Sequence, residues 1–452
     1  MIPILLSKIA QGIKNIENDC WIDNVTSDSR TVTPGSIFLA IKGERVNGQD
    51  YAARAVEKGA RLVVTEDHID AIPDSLQAVV PSVLDASIAL GANVRKEFDL
   101  DAIGVTGSLG KTTTKDFIYA ALSPFARTVR SVGNQNNELG MPKTIYGFTH
   151  EDRYAILEMG MEAFGDVHKL SMAAYPVAAL ITGIGISHLE RMGTRENILK
   201  AKMEIIDGMP EDGLLVLNGD DDLLPTVKPE KKLRIVYFGI ENDNCDVTAV
   251  NIRQNGFRMD FTIRDRKYGD IPCSIPAIGI HNVRNAISAY LLVTRLGFDA
   301  VKTAGNLSGY VPSGMRQHFV EKNGILFIED CYNAAPDSMR SAIDAMMSVA
   351  KGRTIAVLGD MFELGPDSDE LHRQVGRYAR EKGVDMLISQ GENARLIVEG
   401  YGEGAVHFDD RQKMTEFIAS TVREGDTVVF KASHSMRYED IIEGVYRIID
   451  NK

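Results

Sequence analysis

The segment DAIGVTGSLGKTTTKDFIYAAL, residues 101–122, decides how this chain is read. An apolar, β-prone run through Val105 meets the turn Gly107-Ser108-Leu109-Gly110, and a helical stretch opens at Lys111-Thr112-Thr113. Strand, glycine loop and helix in that order is the setting of a phosphate-binding loop. Glycines let backbone N–H groups turn inward around phosphate oxygens, and the helix N-terminus adds a favourable dipole. Lys111 supplies positive charge for β and γ phosphates, and the Thr112 hydroxyl suits Mg²⁺. The common pattern places a glycine where Val105 stands; here the glycine is Gly107, four residues before the lysine. A glycine-rich turn that binds nothing is the competing reading, and Gly-Lys-Thr-Thr in this setting weighs against it. Leu109, where a small or polar residue is usual, is expected to point away from the phosphates.

The same alternation extends outward in both directions. YAILEMG (154–160), VAALITGIG (177–185), GLLVLNGDDD (213–222) and RIVYFGI (234–240) read as buried strands separated by helical stretches, and 246–275 as antiparallel. Upstream, SIFLAI (36–41) and RLVVTE (61–66) read as strands, with helices over 50–60 and 82–98. Downstream, ILFIED, TIAVLGD, MLISQG and DTVVFKAS are four apolar strands with helical stretches between them. Such alternation predicts parallel sheets covered by helices on both faces. The fold expected is α/β with three domains, in keeping with a length of 452 residues. A small mixed N-terminal domain covers 1–98, a central P-loop ATPase-like domain with a largely parallel sheet 99–311, and a C-terminal doubly wound α/β domain 312–452.

Composition narrows the function. Apolar residues at 44% and charged residues at 25% describe an ordinary globular chain and exclude a disordered one or a fibre. A net charge of −13 argues against sequence-blind nucleic-acid binding, which needs a basic face, but leaves room for an anionic substrate held locally. The scattered cysteines Cys20, Cys245, Cys273 and Cys331 form no C-x-x-C and fit a reducing compartment. No run approaches the ~18 apolar residues of a spanning helix, and MIPILLSKIAQG lacks the cationic start of a signal peptide. A cytoplasmic protein without membrane insertion, and a monomer, is the expectation.

Three residues are ambiguous by themselves. Glu158 ends the apolar run YAIL, where a carboxylate is well placed beside a phosphate loop on a neighbouring strand, or merely meets solvent. His188 follows another strand, and a lone His there is more often structural. Lys202 lies on a helical stretch, where a single lysine is normally solvated.

Motifs in a fixed order resolve them. TSDSR (26–30), AIKGER (40–45), TGSLGKTTTKD (106–116), GNQNNELGMP (133–142) and LEMGM (157–161) are followed by ISHLERMG (186–193), KAKMEI (200–205) and GIHNVRNAISA (279–289). EDCYNAAPDSM (329–339), VLGDMFELG (357–365) and KASHSMRYED (431–440) complete the set. Together they resemble the Mur ligase family of ATP-dependent amide-bond ligases over essentially the whole chain. GNQNNELGMP, CYNAAPDSM and GDMFELG are similar to its D-alanyl-D-alanine-adding branch.

The resemblance implies ATP and two Mg²⁺ ions, with UDP-N-acetylmuramoyl-tripeptide and D-alanyl-D-alanine as substrates. Thr112, Glu158 and His188 would hold metal, and Lys202 would take up CO₂ as a carbamate, with Lys200 its alternative. Gly107, Ser108, Gly110, Lys111, Thr112 and Thr113 would cradle phosphates. Asn282 would contact adenine, Arg316 the phosphates, and Asp330 the ribose beside Tyr332 and Asn333. Lys111, Lys202, His188 and Arg316 would carry catalysis.

Ser27, Asp28, Ser29 and Arg30, with Lys42, Gly43, Glu44 and Arg45, would anchor the UDP end, where the arginine fork suits a diphosphate. Asn134, Asn136 and Asn137 suit a polar sugar substrate. Asp360 and Glu363 would meet the incoming ammonium group, and Lys431, Ser433, His434 and Arg437 the dipeptide carboxylate or transferring phosphate. The rivals are a sibling ligase adding another amino acid, a folylpolyglutamate-synthase-like ligase, a P-loop switch or phosphotransferase, and a non-catalytic relative. No base-reading N-K-x-D follows the loop to favour the switch, and the retained Lys111, Glu158, His188 and Lys202 speak against the non-catalytic relative.

Overall fold

The computed structural model describes residues 1–43 and 46–451. At its centre is a 9-stranded sheet. The strand Asp101–Thr106 lies between Pro176–Ile181 and Tyr154–Glu158, all parallel, with Thr128–Arg130 on one edge. Leu214–Asn218 and Arg234–Gly239 continue the parallel part on the other side. Val247–Asn255, Arg258–Asp265 and Gly269–Ile275 then turn antiparallel, as their alternating pattern predicts. The inner strands are buried throughout because helices cover both faces, which is why their sequences run apolar rather than alternate.

A second sheet of six strands forms the C-terminal unit, in the order His318–Lys322, Ile325–Glu329, Thr427–Lys431, Thr354–Gly359, Met386–Gln390, Ala405–Phe408. Its pairs are parallel except the first. The two outermost strands are additions to the four expected. Both are edge strands with half-exposed side chains, so neither carries an apolar run to announce it. A third sheet, of four parallel strands, lies near the N-terminus: Asn24–Thr26, Ser36–Leu39, Leu62–Thr65 and Gln77–Val79. The helix expected over 50–60 is shorter, a 3₁₀ turn followed by Ala52–Glu57. It stops before Gly59, whose φ of 95° no helix continues.

Helix Val83–Arg95 joins the N-terminal sheet to the central one, and a single apolar core runs from one through it to the other. The buried Arg95 guanidinium ends that helix by donating to the carbonyls of Ala174, Phe98 and Leu100 at 3.1, 2.9 and 2.6 Å. Its buried charge is thus met by three carbonyl dipoles. Among the described residues no helix is long and apolar enough to cross a membrane.

Candidate active site

A cleft of about 940 Å³ opens between the central and C-terminal units at the C-terminal ends of the central strands. This is where open α/β sheets place ligands. Its floor is the loop 107–110, and helix Lys111–Leu122 begins directly behind it. Gly107 has φ 145°, and a Cβ there would stand 1.9 Å from Thr182 Oγ1. Gly110 has φ 78° and packs against Asn285. Both positions therefore require glycine. Gly107→Ala should displace the loop and abolish nucleotide binding while the sheets persist, which ADP titration by calorimetry beside a circular dichroism spectrum would check. Full-affinity binding by that variant would contradict this account of the loop. Leu109 lines the cleft with 36% of its surface exposed.

Lys111 curls over the loop, donating to the Gly107 carbonyl at 2.7 Å. Desolvation lowers its pKa, and the Glu158 carboxylate works in the opposite direction. Thr112 and Glu158 are joined: the threonine hydroxyl donates to Glu158 Oε2 at 2.7 Å. Asn136 donates to the other oxygen at 3.0 Å, and Ser131 Oγ accepts from the Glu158 backbone N–H at 3.1 Å. Glu158 is 2% exposed, so it does not merely meet solvent at its strand end.

His188 lines the same cleft from a left-handed backbone, φ 64°. Its Nδ1 lies 2.8 Å from a Glu363 carboxylate oxygen of the C-terminal unit, without hydrogen-bond alignment. Burial is the main influence lowering its pKa, and Lys111 and Lys202 add to it against Glu363. A neutral imidazole is the form that ligates metal. Lys202 is 1% exposed on helix Arg195–Met203, whereas Lys200 faces solvent. Its amine makes no hydrogen bond or ion pair among the described residues. Burial, with Lys111 second, holds its pKa well below the ordinary lysine value.

Among the described residues no three His, Cys, Asp or Glu side chains gather as a metal cage. The donors present are the Thr112 hydroxyl, the Glu158 carboxylate and neutral His188. Mg²⁺ commonly takes one or two protein carboxylates and completes its shell with water and substrate phosphates, so this sparse set fits it.

The opposite wall comes from the C-terminal unit. The Arg316 guanidinium lies 3.6 Å from the Tyr332 ring centroid, and Tyr332 stacks on His434 at 5.2 Å. Lys431 pairs with the Asp330 carboxylate at 3.0 Å and donates to the Asn333 carbonyl at 2.8 Å. Asn282 donates to Gln317 Oε1 at 2.9 Å, and Gln317 in turn reaches His281 at 3.2 Å. Burial brings the His281 pKa down to about 4, so its ring is neutral.

The cleft thus brings together the loop residues, Asn136, Asn137, Glu158, His188, Asn282, Arg316, Asp330, Tyr332, Asn333 and Lys431. Other expected site residues lie elsewhere. Asn134 is exposed off the cleft. Asp360 is 4% exposed and accepts from the Ala394 N–H at 2.6 Å, so its carboxylate serves the interior of the C-terminal unit. Ser433 is buried beside it with an unpaired hydroxyl, and the exposed Arg437 pairs with Asp440 at 3.0 Å. Ser27, Asp28, Ser29 and Arg30 form a separate N-terminal cluster. There the Arg30 fork grips Asp28 and helps hold its pKa to about 2. Lys42 and Gly43 lie on the neighbouring loop, with Lys42 bridged to Asn47. Glu44 and Arg45 lie outside the described residues.

His281, Gln317 and Tyr310 line the cleft without having been singled out in the sequence. His281 belongs to the motif GIHNVRN and Gln317 follows Arg316, so adjacency to an assigned residue was the available signal.

Comparison with known proteins agrees with this geometry. Three family models match: the Mur ligase family catalytic domain over 22–98, the Mur ligase middle domain over 105–293, and the Mur ligase glutamate ligase domain over 315–434. The UDP-N-acetylmuramoyl-tripeptide–D-alanyl-D-alanine ligase of Bacillus subtilis is 34% identical, with 93% of each chain covered. That of Escherichia coli is 32% identical, covering 98% of this chain and 99% of the relative. The crystal structure of MurF from Acinetobacter baumannii superposes with TM-score 0.89 at 29% identity, covering 98% of this chain and 99% of that one. MurF from Thermotoga maritima in complex with ADP gives 0.84 at 27% identity, covering 95% and 98%. With family models over all three units, and relatives and structures similar over nearly the whole length, the chain belongs to the Mur ligase family.

Proposed function

We propose that this chain joins D-alanyl-D-alanine to UDP-N-acetylmuramoyl-tripeptide with ATP, through an acyl phosphate, as the last cytoplasmic step of peptidoglycan precursor peptide assembly. One observation carries this reading. A phosphate loop with Thr112 on Glu158 faces Arg316, Asp330 and Lys431 across a single cleft, in a chain similar throughout its length to ligases of that name.

A terminal carboxylate oxygen of the tripeptide attacks the γ phosphorus, and ADP leaves. The dipeptide amine nitrogen then attacks the acyl carbon, the C–O bond to phosphate breaks, and the nitrogen loses a proton. Lys111 and the loop N–H groups hold the phosphates, and Arg316 approaches them from the C-terminal unit. Asn282 and Asp330 seat the nucleoside. Thr112, Glu158, His188 and Lys202, the last as a carbamate, would hold two Mg²⁺ ions, which would supply neutralisation of phosphate charge. Burial favours the neutral form of the Lys202 amine, and CO₂ adds only to that form, which supports the carbamate.

The three units divide the substrates. Residues 1–98 take the UDP end at Ser27–Arg30 and the loop from Lys42, 99–311 take ATP, and 312–452 take the amine and close over ATP. Glu363, whose carboxylate lies 2.8 Å from His188, is the C-terminal residue that would meet the ammonium group. Closure excludes water from an acyl phosphate that water would destroy.

The test is phosphate release from ATP and Mg²⁺ over a matrix of acceptors and amines. UDP-N-acetylmuramoyl-tripeptide with D-alanyl-D-alanine should release phosphate and yield the pentapeptide by mass, and either alone should give little. Turnover with single amino acids only would retain the family and overturn the branch. ATP cleavage without any amide would overturn the ligase reading.

A further inference from the structure

Behind the phosphate loop Glu158 belongs to a buried charged cluster whose other members, Lys115, Asp116 and Arg130, have no role in the mechanism. Helix Lys111–Leu122 carries Lys115 and Asp116 on the turn after Thr112, at 0% and 1% exposure. Lys115 donates to the Ser131 carbonyl at 2.9 Å and lies 3.8 Å from Glu158 Oε2 and 3.6 Å from Asp116 Oδ1. Arg130 lies 2.9 Å from the same Asp116 oxygen. Two carboxylates and two cations balance, as burial of charge demands.

The other Asp116 oxygen does something different. It accepts from both the backbone N–H, at 3.1 Å, and the hydroxyl of Ser313, a residue 197 positions away. Ser313 lies on the segment 311–317 that carries the chain from the central into the C-terminal unit. The next helix residue, Phe117, stacks on Tyr310 at 3.8 Å. The ATP-binding helix therefore grips this crossing segment on both sides of Val311-Pro312. Three residues beyond Ser313, Arg316 donates back to the Ser313 carbonyl at 3.3 Å and lies over Tyr332.

We propose that Asp116 is a positioning residue of the reaction, holding the crossing segment through Ser313 so that Arg316 faces the phosphate loop. This rests on the functional reading above. It makes the phosphate-loop helix itself the anchor from which the C-terminal arginine is aimed.

The test is a double-mutant cycle on amide formation. Ser313→Ala deletes only the hydroxyl and should lower kcat about 10-fold or more with the KM for ATP little changed, since misplacement by ~1 Å can cost 10²-fold. Ser313→Thr, which keeps the hydroxyl, should restore it. In an Arg316→Ala background, Ser313→Ala should cost nothing further, because both act through one group. Asp116→Asn should reproduce the Ser313→Ala loss; if that variant does not fold, the Ser313 pair decides alone.

Unchanged kcat in Ser313→Ala, or losses that multiply with Arg316→Ala, would overturn the proposal. Wild-type turnover separates it from the functional reading. Should the wild type form no amide, the functional reading fails and the positioning role falls with it; where the wild type turns over, the Ser313 variants decide the positioning role alone.

Discussion

Lys111→Met is expected to reduce amide formation about 10²–10³-fold, the loss typical of removing one preorganised charge from a developing oxyanion. The reason is geometric. The side chain starts behind the loop, and its ammonium already lies at the Gly107 carbonyl, on the floor of the cleft. Among the described residues the cleft's other cations, Arg191, Arg284, Arg316 and Lys431, come from other segments, and Lys115 is fully buried, engaged with Ser131 and Glu158. Lys111 is half-buried and, among the described residues, its side-chain hydrogen bonds go to Gly107 and Ser108 within its own loop, so the fold should survive. Lys111→Arg should fail as well, because a planar guanidinium does not replace a compact ammonium in a tight loop. Initial rates of phosphate release, beside an unchanged thermal midpoint, check this. Wild-type turnover in Lys111→Met would remove the lysine from the transfer step.

The second large effect falls on Lys202. Lys202→Ala is expected to abolish turnover, and small carboxylates such as formate or acetate should restore part of it by returning an anion to the vacated volume. Chloride should not, because it cannot mimic a carbamate's paired oxygens. Lys202→Arg should be inactive, since it keeps the positive charge and cannot take up CO₂. The pH dependence has a definite sign. Burial and the nearby Lys111 charge lower the Lys202 pKa, so the neutral amine persists to lower pH than in an exposed lysine. Acidification reprotonates it, so bicarbonate should stimulate the wild type more above neutrality than below it. Native mass spectrometry should find one added CO₂ on the wild type and none on Lys202→Ala. Full activity in Lys202→Arg would show that a cation, not a carbamate, serves the site.

What could be read from the sequence follows from range. The phosphate loop is contiguous, so residues 107–113 declare themselves: glycine, lysine and threonine are needed within one turn of backbone. The buried inner strands declare themselves too, because both faces are covered and each becomes a short apolar run. The edge strands His318–Lys322 and Ala405–Phe408 do not, because half-exposed edges carry no such run. Glu158, His188 and Lys202 were ambiguous singly, each having a commoner structural role. Ordered motifs along the chain, not any local pattern, gave them weight.

The tertiary structure decided the rest. It buried Lys202 and left Lys200, two residues away, in solvent, a distinction that helix phase sets and composition does not. It turned Asp360 into its own unit, while bringing Glu363 to His188 across the cleft. It also tied Asp116 to Ser313 over a separation of 197 residues, which no local pattern encodes. Loop chemistry, the α/β alternation and the family are carried by contiguous residues and ordered motifs. Only folding determined which distant side chains share a cavity, because that depends on how sheets pack and where the chain crosses between them.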